Sequence, residues 1–410
     1  MNMARILCFG LCVLAGCAAE GPLLAVFERL VLQRSVDALL LQRGVAALPQ
    51  RGLASGLASG KRGYAAQVGA DTVGEHETEE GPKGVSGPPV PLPNALLGED
   101  CFLGTPDQWM RERLLQRDIT AIKKGSGGRS LAFKLTFADG TQGYYKPAQS
   151  FSGANWYAEV AAYHLDRALG LGRVPPVVSR RMSWEQLRPS AGKDYRVPEI
   201  HVEPDGTVRG ALVYWLDGPL APAATPAGFE NWFRVDKFQP WALSPYKRPA
   251  AYRQDLRDNK RRVRKGQQPR LYFETPPEAD GALAAALSDM VIFDYLTLNI
   301  DRWGGQNGNV LTHGADQQLI FLDNGAGFSL GPPTRSLMDA RLELLQRFRR
   351  STVAALKRFS LSDFERRLDA EELAPVMGRE LRAGVAIRRA LVLDHIAAME
   401  ARHGDQVYSW

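Results

Sequence analysis

The feature that most constrains the fold is a change of hydrophobic period between residues 131 and 169. Leu131-Ala-Phe133-Lys-Leu135-Thr-Phe137 alternates apolar and polar side chains, Asp139-Gly140 supplies a hairpin turn, and Gly143-Tyr-Tyr-Lys146 forms the returning strand. From Trp156 to Leu169 the period becomes that of a helix, with Ala158, Ala161, Ala162, Leu165 and Leu169 on one face. Arg173-Val-Pro-Pro-Val-Val178 then returns extended, because prolines are excluded from a helix interior. Strand, turn, strand, helix and strand in that order open a small α+β lobe.

The second half reads mostly as helix. Ala282 to Leu298 carries Leu283, Leu287, Met290, Val291, Phe293 and Leu296, and a polar loop from Asn299 to Asn309 follows it. Two short strands are expected at Asn309–Leu311 and Leu319–Leu322, the second ending at Asp323-Asn-Gly-Ala-Gly-Phe328. Beyond Arg335 the pattern predicts three helical stretches. With 410 residues, 45% apolar and 23% charged, the chain suits one large or two ordinary domains. Its net charge of +6 is too diffuse to argue for a nucleic-acid partner. Cysteines occur only at 8, 12, 17 and 101, which excludes a disulfide scaffold and a structural zinc cluster in the body.

The first residues read as an address. A basic start, the apolar run Ile6–Leu14 and Leu14-Ala-Gly-Cys17 resemble a bacterial lipobox, with cleavage before Cys17 and lipid on that cysteine. The expectation is a cell-envelope protein on the outer membrane, with an ordinary signal peptide and secretion as the alternative. Residues 1–16 are then the signal and 17–95 the anchor region, including an amphipathic or packing helix between Leu23 and Leu48 and a Gly/Ser/Pro-rich tether from Gly52 to Pro93. The folded body starts near Leu96.

Phosphoryl transfer from a nucleotide needs a cation for the phosphates, a carboxylate to position that cation, oxygen ligands for a divalent metal and an aspartate beside the attacking hydroxyl. The sequence offers one candidate for each. Lys146 stands on the second strand, and Glu159 lies thirteen residues on, in the helix. Asp301 sits in the polar loop, and Asp323 ends a strand ahead of Gly325 and Gly327. Each also has a plain structural reading: a surface ion pair for Lys146 and Glu159, a cap for Asp301, a turn for Asp323-Asn-Gly.

Four blocks carry a family resemblance: Phe137–Pro147; Ala158–Arg167 with Arg173-Val-Pro-Pro176; Ile292–Arg302; and Leu322-Asp-Asn-Gly325. In this order they resemble the secretory-pathway kinases. The resemblance implies an α+β, two-lobed atypical protein-kinase-like fold, with a small β-rich N-lobe over 96–215 and a larger, mainly helical C-lobe over 216–410. It implies ATP with Mn²⁺ or Mg²⁺ as cofactors, and a protein hydroxyl or a glycan as acceptor. Lys146 would hold the phosphates, Glu159 would pair with it or help bind metal, Asp323 would be the main metal ligand and Asp301 the catalytic aspartate. Val213 and Tyr214, in the strand Gly210–Trp215 linking the lobes, would meet the adenine through their backbone.

The chain also departs from the pattern. Gln306 stands where the family tends to have an acidic group, so Asn309 is taken as the second metal ligand, with Gln306 and Asn307 as alternatives. Cys101 has no partner, so the body must hold by packing alone. Lys123-Lys-Gly-Ser-Gly-Gly-Arg129 is either a phosphate-facing loop or a flexible turn, and it matches no Walker pattern. His164 reads as a packing or solvent-facing residue, Arg302 as charge-neutralising or packing, and Arg253–Arg270 as a solvated basic loop that could steer an acidic substrate or lipid headgroups. Two functional classes remain: an active kinase, or a lipid-anchored pseudokinase that keeps the fold without turnover.

Overall fold

The computed structural model describes residues 100–126, 128–236, 243–247, 249–270, 281–303, 308–329 and 332–410. The expected signal, the Cys17 anchor, the helix within 23–48 and the tether lie outside these residues, as do Gln306 and Asn307. A short ladder of β1 (Cys101–Phe102) and β2 (Thr105–Pro106) leads into helix α1 (Asp107–Gln116). The alternating segments then build one five-stranded antiparallel sheet. Its strands are β3 (Ile119–Lys124), β4 (Phe133–Phe137), β5 (Gln142–Pro147), β6 (Val177–Ser183) and β7 (Thr207–Tyr214), in the order β3-β4-β5-β7-β6.

Period-two alternation decides what each face of that sheet does. Phe133, Leu135 and Phe137 of β4, with Tyr145, Val178 and Leu212, point to one face and form its core. Lys134, Tyr144, Lys146 and Val213 share the opposite face and line a cleft. Strand β3 corrects the sequence reading, which began the sheet at Leu131: Lys123 and Lys124 of the glycine-rich run end β3, and Gly125 and Ser126 follow it.

Helix α2 (Trp156–Ala168) crosses beneath the sheet and is buried along Ala158–Arg167. Its alanines allow close approach, and burial on all sides forces its polar residues to find partners. Arg167 donates to Asp107 at 2.6 Å and to the Val174 carbonyl at 2.8 Å, and it also pairs with Asp166. Tyr163 donates to Asp107 at 2.8 Å. His164 is buried, with Nε2 2.7 Å from Glu371, so the solvent-facing alternative is corrected. These buried ion pairs also correct the expectation of packing alone.

After α3 (Trp184–Ala191) and β7 the chain enters its helical part: β8 (Leu220–Pro222), α4 (Pro249–Arg264), α5 (Gly281–Thr297), β9 (Leu311–His313), β10 (Gln318–Ile320), α6 (Pro332–Leu344), α7 (Arg350–Arg358), α8 (Leu361–Asp369) and α9 (Arg379–His403). Among the described residues four helices, rather than three, follow β10, because Ser360 caps a separate α8 by accepting from the Asp363 N–H. The basic run is the helix α4 with a short extension, not a loop: Asn259 is its buried point, while Arg253, Arg257, Lys260 and Arg261 face outward. Helix α5 is mainly apolar, is buried from Ala284 to Thr297 and packs in the larger core with Phe321, Leu342, Val392 and Ile396. No described helix is long and apolar enough to cross a membrane.

Candidate active site

A cleft of about 420 Å³ lies between the sheet and the helical part. Lys146 reaches it because residues 144 and 146 share one strand face, and Glu159 because it sits in the first turn of α2. The Lys146 ammonium lies 2.5 Å from Glu159 Oε1 and 2.8 Å from Asp323 Oδ1. Glu159 is 3% exposed and Asp323 45%, so one carboxylate is the buried support and the other opens to solvent. Burial alone would lower the Lys146 pKa, but the charges of Asp323 and Glu159 hold it well above its ordinary value. The Lys146 charge in turn keeps Asp323 below the usual carboxylate range, against partial desolvation by the surrounding chain.

Asp323 has φ +57°, a left-handed backbone that costs a non-glycine residue about 1–2 kcal/mol. The residues around it enforce that geometry. Asn324 is buried and donates to the Phe321 carbonyl at 3.0 Å. Asn299 donates to the Asp323 carbonyl at 3.1 Å and accepts from the Asp301 N–H at 3.2 Å, so one side chain joins the two loops. Gly325 suits a close approach, since a Cβ there would lie 3.3 Å from the Gly153 carbonyl, which would have to give by a few tenths of an ångström.

Beneath Asp301 lies a buried anchor. Arg302 is fully buried and bonds Asp294 at 3.1 Å, Asn324 Oδ1 at 2.6 Å and the Leu322 carbonyl. Trp303 donates to the other Asp294 oxygen at 3.2 Å and stacks on Phe229 at 5.7 Å. Arg302 thus fixes the loop rather than facing the cleft. Burial raises the Asp294 pKa to about 6 against the pull of Arg302. Asp301 reaches the surface at the rim, where desolvation by the surrounding chain, then the charge of Asp323, push its pKa up to about 6.

Asn309 lines the cleft and donates to the Asp301 carbonyl at 3.3 Å. Val213 and Tyr214 also line it, on the apolar wall with Val177, Leu311 and Phe321. The Tyr214 N–H is committed to the Pro176 carbonyl at 2.8 Å, however, and the Trp215 N–H to Gln142 at 3.0 Å. These two donors serve the sheet. In the glycine-rich connection, Gly125 and Ser126 border the cleft, while Lys124 and Arg129 pair with Asp194 at 3.0 Å and Glu199 at 2.8 Å.

The structure therefore brings Lys146, Glu159, Asp323 and Asn309 to one cleft with Asp301 at its rim. Sequence reasoning missed Asn299 and Asp294, which hold the two aspartates in place. A carboxylate inside the apolar helix 282–298 was the available signal for Asp294, since a buried charge requires a partner. Among the described residues no three His, Cys, Asp or Glu side chains cluster closely enough to cage a metal. The two carboxylates and the Asn309 amide form a hard-oxygen set of the kind that holds Mg²⁺ or Mn²⁺ together with substrate phosphates.

This combination of lobes and cleft is that of a two-lobed, kinase-like fold. The Golgi casein kinase with Mn/ADP bound shares it with a TM-score of 0.53 at 19% identity, over 74% of this chain and 79% of that one. Residues 105–375 match the Four-jointed box protein middle domain, and the chain belongs to this family. It is 26% identical over 321 residues to the extracellular serine/threonine protein kinase FAM20C of Homo sapiens, covering 70% of this chain and 51% of that protein. It is 26% identical over 216 residues to the glycosaminoglycan xylosylkinase of Danio rerio, covering 51% of each. The chain spans about half the length of these relatives.

Proposed function

We propose that the chain is a metal-dependent kinase that transfers the γ-phosphoryl group of ATP to a hydroxyl on an exported protein or a glycan. The observation that carries this reading is the Lys146 ammonium clamped between Glu159 at 2.5 Å and Asp323 at 2.8 Å at the edge of an open cleft. Lys146 would hold phosphate oxygens, and Glu159 would fix its position. Asp301 takes the acceptor's hydroxyl proton as the acceptor oxygen bonds to the γ-phosphorus and the bond to the bridging oxygen breaks, releasing ADP. Glu159, Asp323 and Asn309 would hold Mn²⁺ or Mg²⁺, which when bound neutralises phosphate charge. Val213 and Tyr214 would contribute the apolar wall against the adenine.

The relatives support both acceptor classes, one being named a protein kinase and another a glycan kinase. The Mn/ADP complex of the Golgi casein kinase supports the cofactors. The lipobox-like Leu14-Ala-Gly-Cys17 supports an envelope location with a lipid anchor on Cys17. The test is to incubate the full chain with γ-labelled ATP and Mn²⁺ or Mg²⁺, offering acidic casein-like peptides and glycans in parallel with Lys146→Ala and Asp323→Asn. Transfer by the parent that both variants lose is the expected result. Metal-dependent nucleotide binding with no transfer to any acceptor, water or the chain itself would instead establish the pseudokinase.

A further inference from the structure

We propose that Lys123 and Lys134 form a second anion subsite on the roof of the cleft, one that takes a phosphate additional to those gathered at Lys146. This rests on the reading of the cleft as a phosphate-ligand site. Lys123 on β3 stands directly opposite Lys134 on β4; Lys134 pairs with Tyr144 on β5, and Tyr144 with Val213 on β7. All four line the cleft in one transverse row. Like charges directly opposite on neighbouring strands repel and destabilise a sheet.

Elsewhere around the cleft this chain neutralises its cations. Lys124 has Asp194, Arg129 has Glu199, and Lys146 has two carboxylates. Among the described residues, neither Lys123 nor Lys134 has a carboxylate within ion-pair distance. Lys134 Nζ instead rests over the Trp215 indole, 4.0 Å from its centroid, and Tyr144 packs against that ring at 5.7 Å. Burial, then the neighbouring charge of Lys123, lower the Lys134 pKa. The sheet thus holds two cations together at a cost that an anion between them would offset.

Position separates this subsite from the first. Tyr144 and Lys146 are two residues apart, so the Lys134 row lies about 7 Å along the strand from Lys146, toward Trp215. A phosphate already held by Lys146 does not also fill the roof, and the ligand must carry a further phosphate to reach it. Two sources supply that chemistry: a nucleotide phosphorylated on its ribose, or a linear inorganic polyphosphate.

The test is calorimetric titration of the full chain in Mn²⁺ with paired probes. The nucleotide arm compares adenosine 5′-phosphate with adenosine 2′,5′-bisphosphate and 3′,5′-bisphosphate; the inorganic arm compares pyrophosphate with tripolyphosphate and a longer polyphosphate of defined length. ADP is titrated alongside as the reference. In at least one arm the added phosphate is expected to tighten binding by about tenfold or more, the worth of a charge-assisted contact. Lys134→Ile and Lys123→Thr, both compatible with strands, should abolish that gain. The readout is the affinity ratio within each pair, so a general loss of binding in a variant cancels. No gain in either arm of the parent, or a gain that survives both substitutions, overturns the subsite. ADP binding that depends on Lys146 without any such gain would leave the kinase reading standing and sink this one. Polyphosphate binding that requires Lys123 and Lys134, with no ADP binding, would do the reverse.

Discussion

Replacing Arg302 with Met removes the anchor beneath the Asp301 loop, and the structure sets the size of the effect. Both Arg302 and Asp294 are fully buried and 3.1 Å apart. Breaking such a pair from one side leaves an uncompensated buried charge and costs about 3–5 kcal/mol. The Leu322 carbonyl and Asn324 Oδ1 lose donors as well, so the upper half of that range is expected. Urea unfolding followed by tryptophan fluorescence reads it, since Trp303 packs against Phe229 in the same cluster. Arg302→Met combined with Asp294→Asn should cost less than the sum of the singles by more than 1 kcal/mol, because the orphaned charge is gone. The pH dependence has a definite sign. Asp294 already titrates near 6 in the folded protein, above the unfolded value of about 3.9. Losing Arg302 raises it further, so between these values the folded state binds the extra proton and stability falls as pH rises. The variant should therefore be less destabilised at pH 5 than at pH 8. A cost under about 1 kcal/mol, or an equal cost at both pH values, would refute the assignment of Arg302 as the loop's buried counter-ion.

Two further outcomes test the chemistry. Because Asp301 titrates near 6 and must be ionised to accept a proton, kcat/KM should fall as pH drops through about 6, and Asp301→Asn should lose about 10²–10⁴ in kcat with little change in nucleotide affinity. An acid limb unchanged in a residually active Asp301→Asn would assign the titration elsewhere. Chelation should abolish transfer and Mn²⁺ restore it; Asn309→Ala should raise the Mn²⁺ concentration for half-activity more than it raises the KM for ATP, and equal shifts would remove Asn309 from the metal set.

The sequence revealed what depends on local chemistry. Lys146 could be placed on a strand and Glu159 on a helix because period two gives way to period 3.6 between them. Asp323 was legible as following an apolar strand, although that strand spans Gln318–Ile320 and ends three residues before it. Three things were not legible. The strand Ile119–Lys124 carries polar residues at positions its neighbours leave exposed, so alternation did not reveal it. Arg253–Arg264 is polar on most of its surface and anchors through few side chains, a pattern that composition alone assigns to a loop. The register that sets Lys123 opposite Lys134 arises from pairing across a turn, and no property of either segment alone specifies it.

The distribution of satisfied and unsatisfied charge then separates scaffold from chemistry. Helix α2 is pinned at its far end by Asp107 through Arg167 and Tyr163, and by Glu371, which accepts from Arg111 at 2.6 Å, from the Ser179 N–H at 2.7 Å and lies 2.7 Å from His164. The Asp301 loop is pinned by Arg302 and Asn299 in the same fully bonded way. Groups held by three or four buried partners cannot also serve a ligand without breaking those bonds. Among the described residues around the cleft, the open side of Asp323, the rim carboxylate of Asp301 and the roof lysines have no such set of partners. Anionic oxygens at one end and ammonium groups at the other favour a ligand that brings metal to the first and phosphate to the second, and a neutral small molecule would satisfy neither.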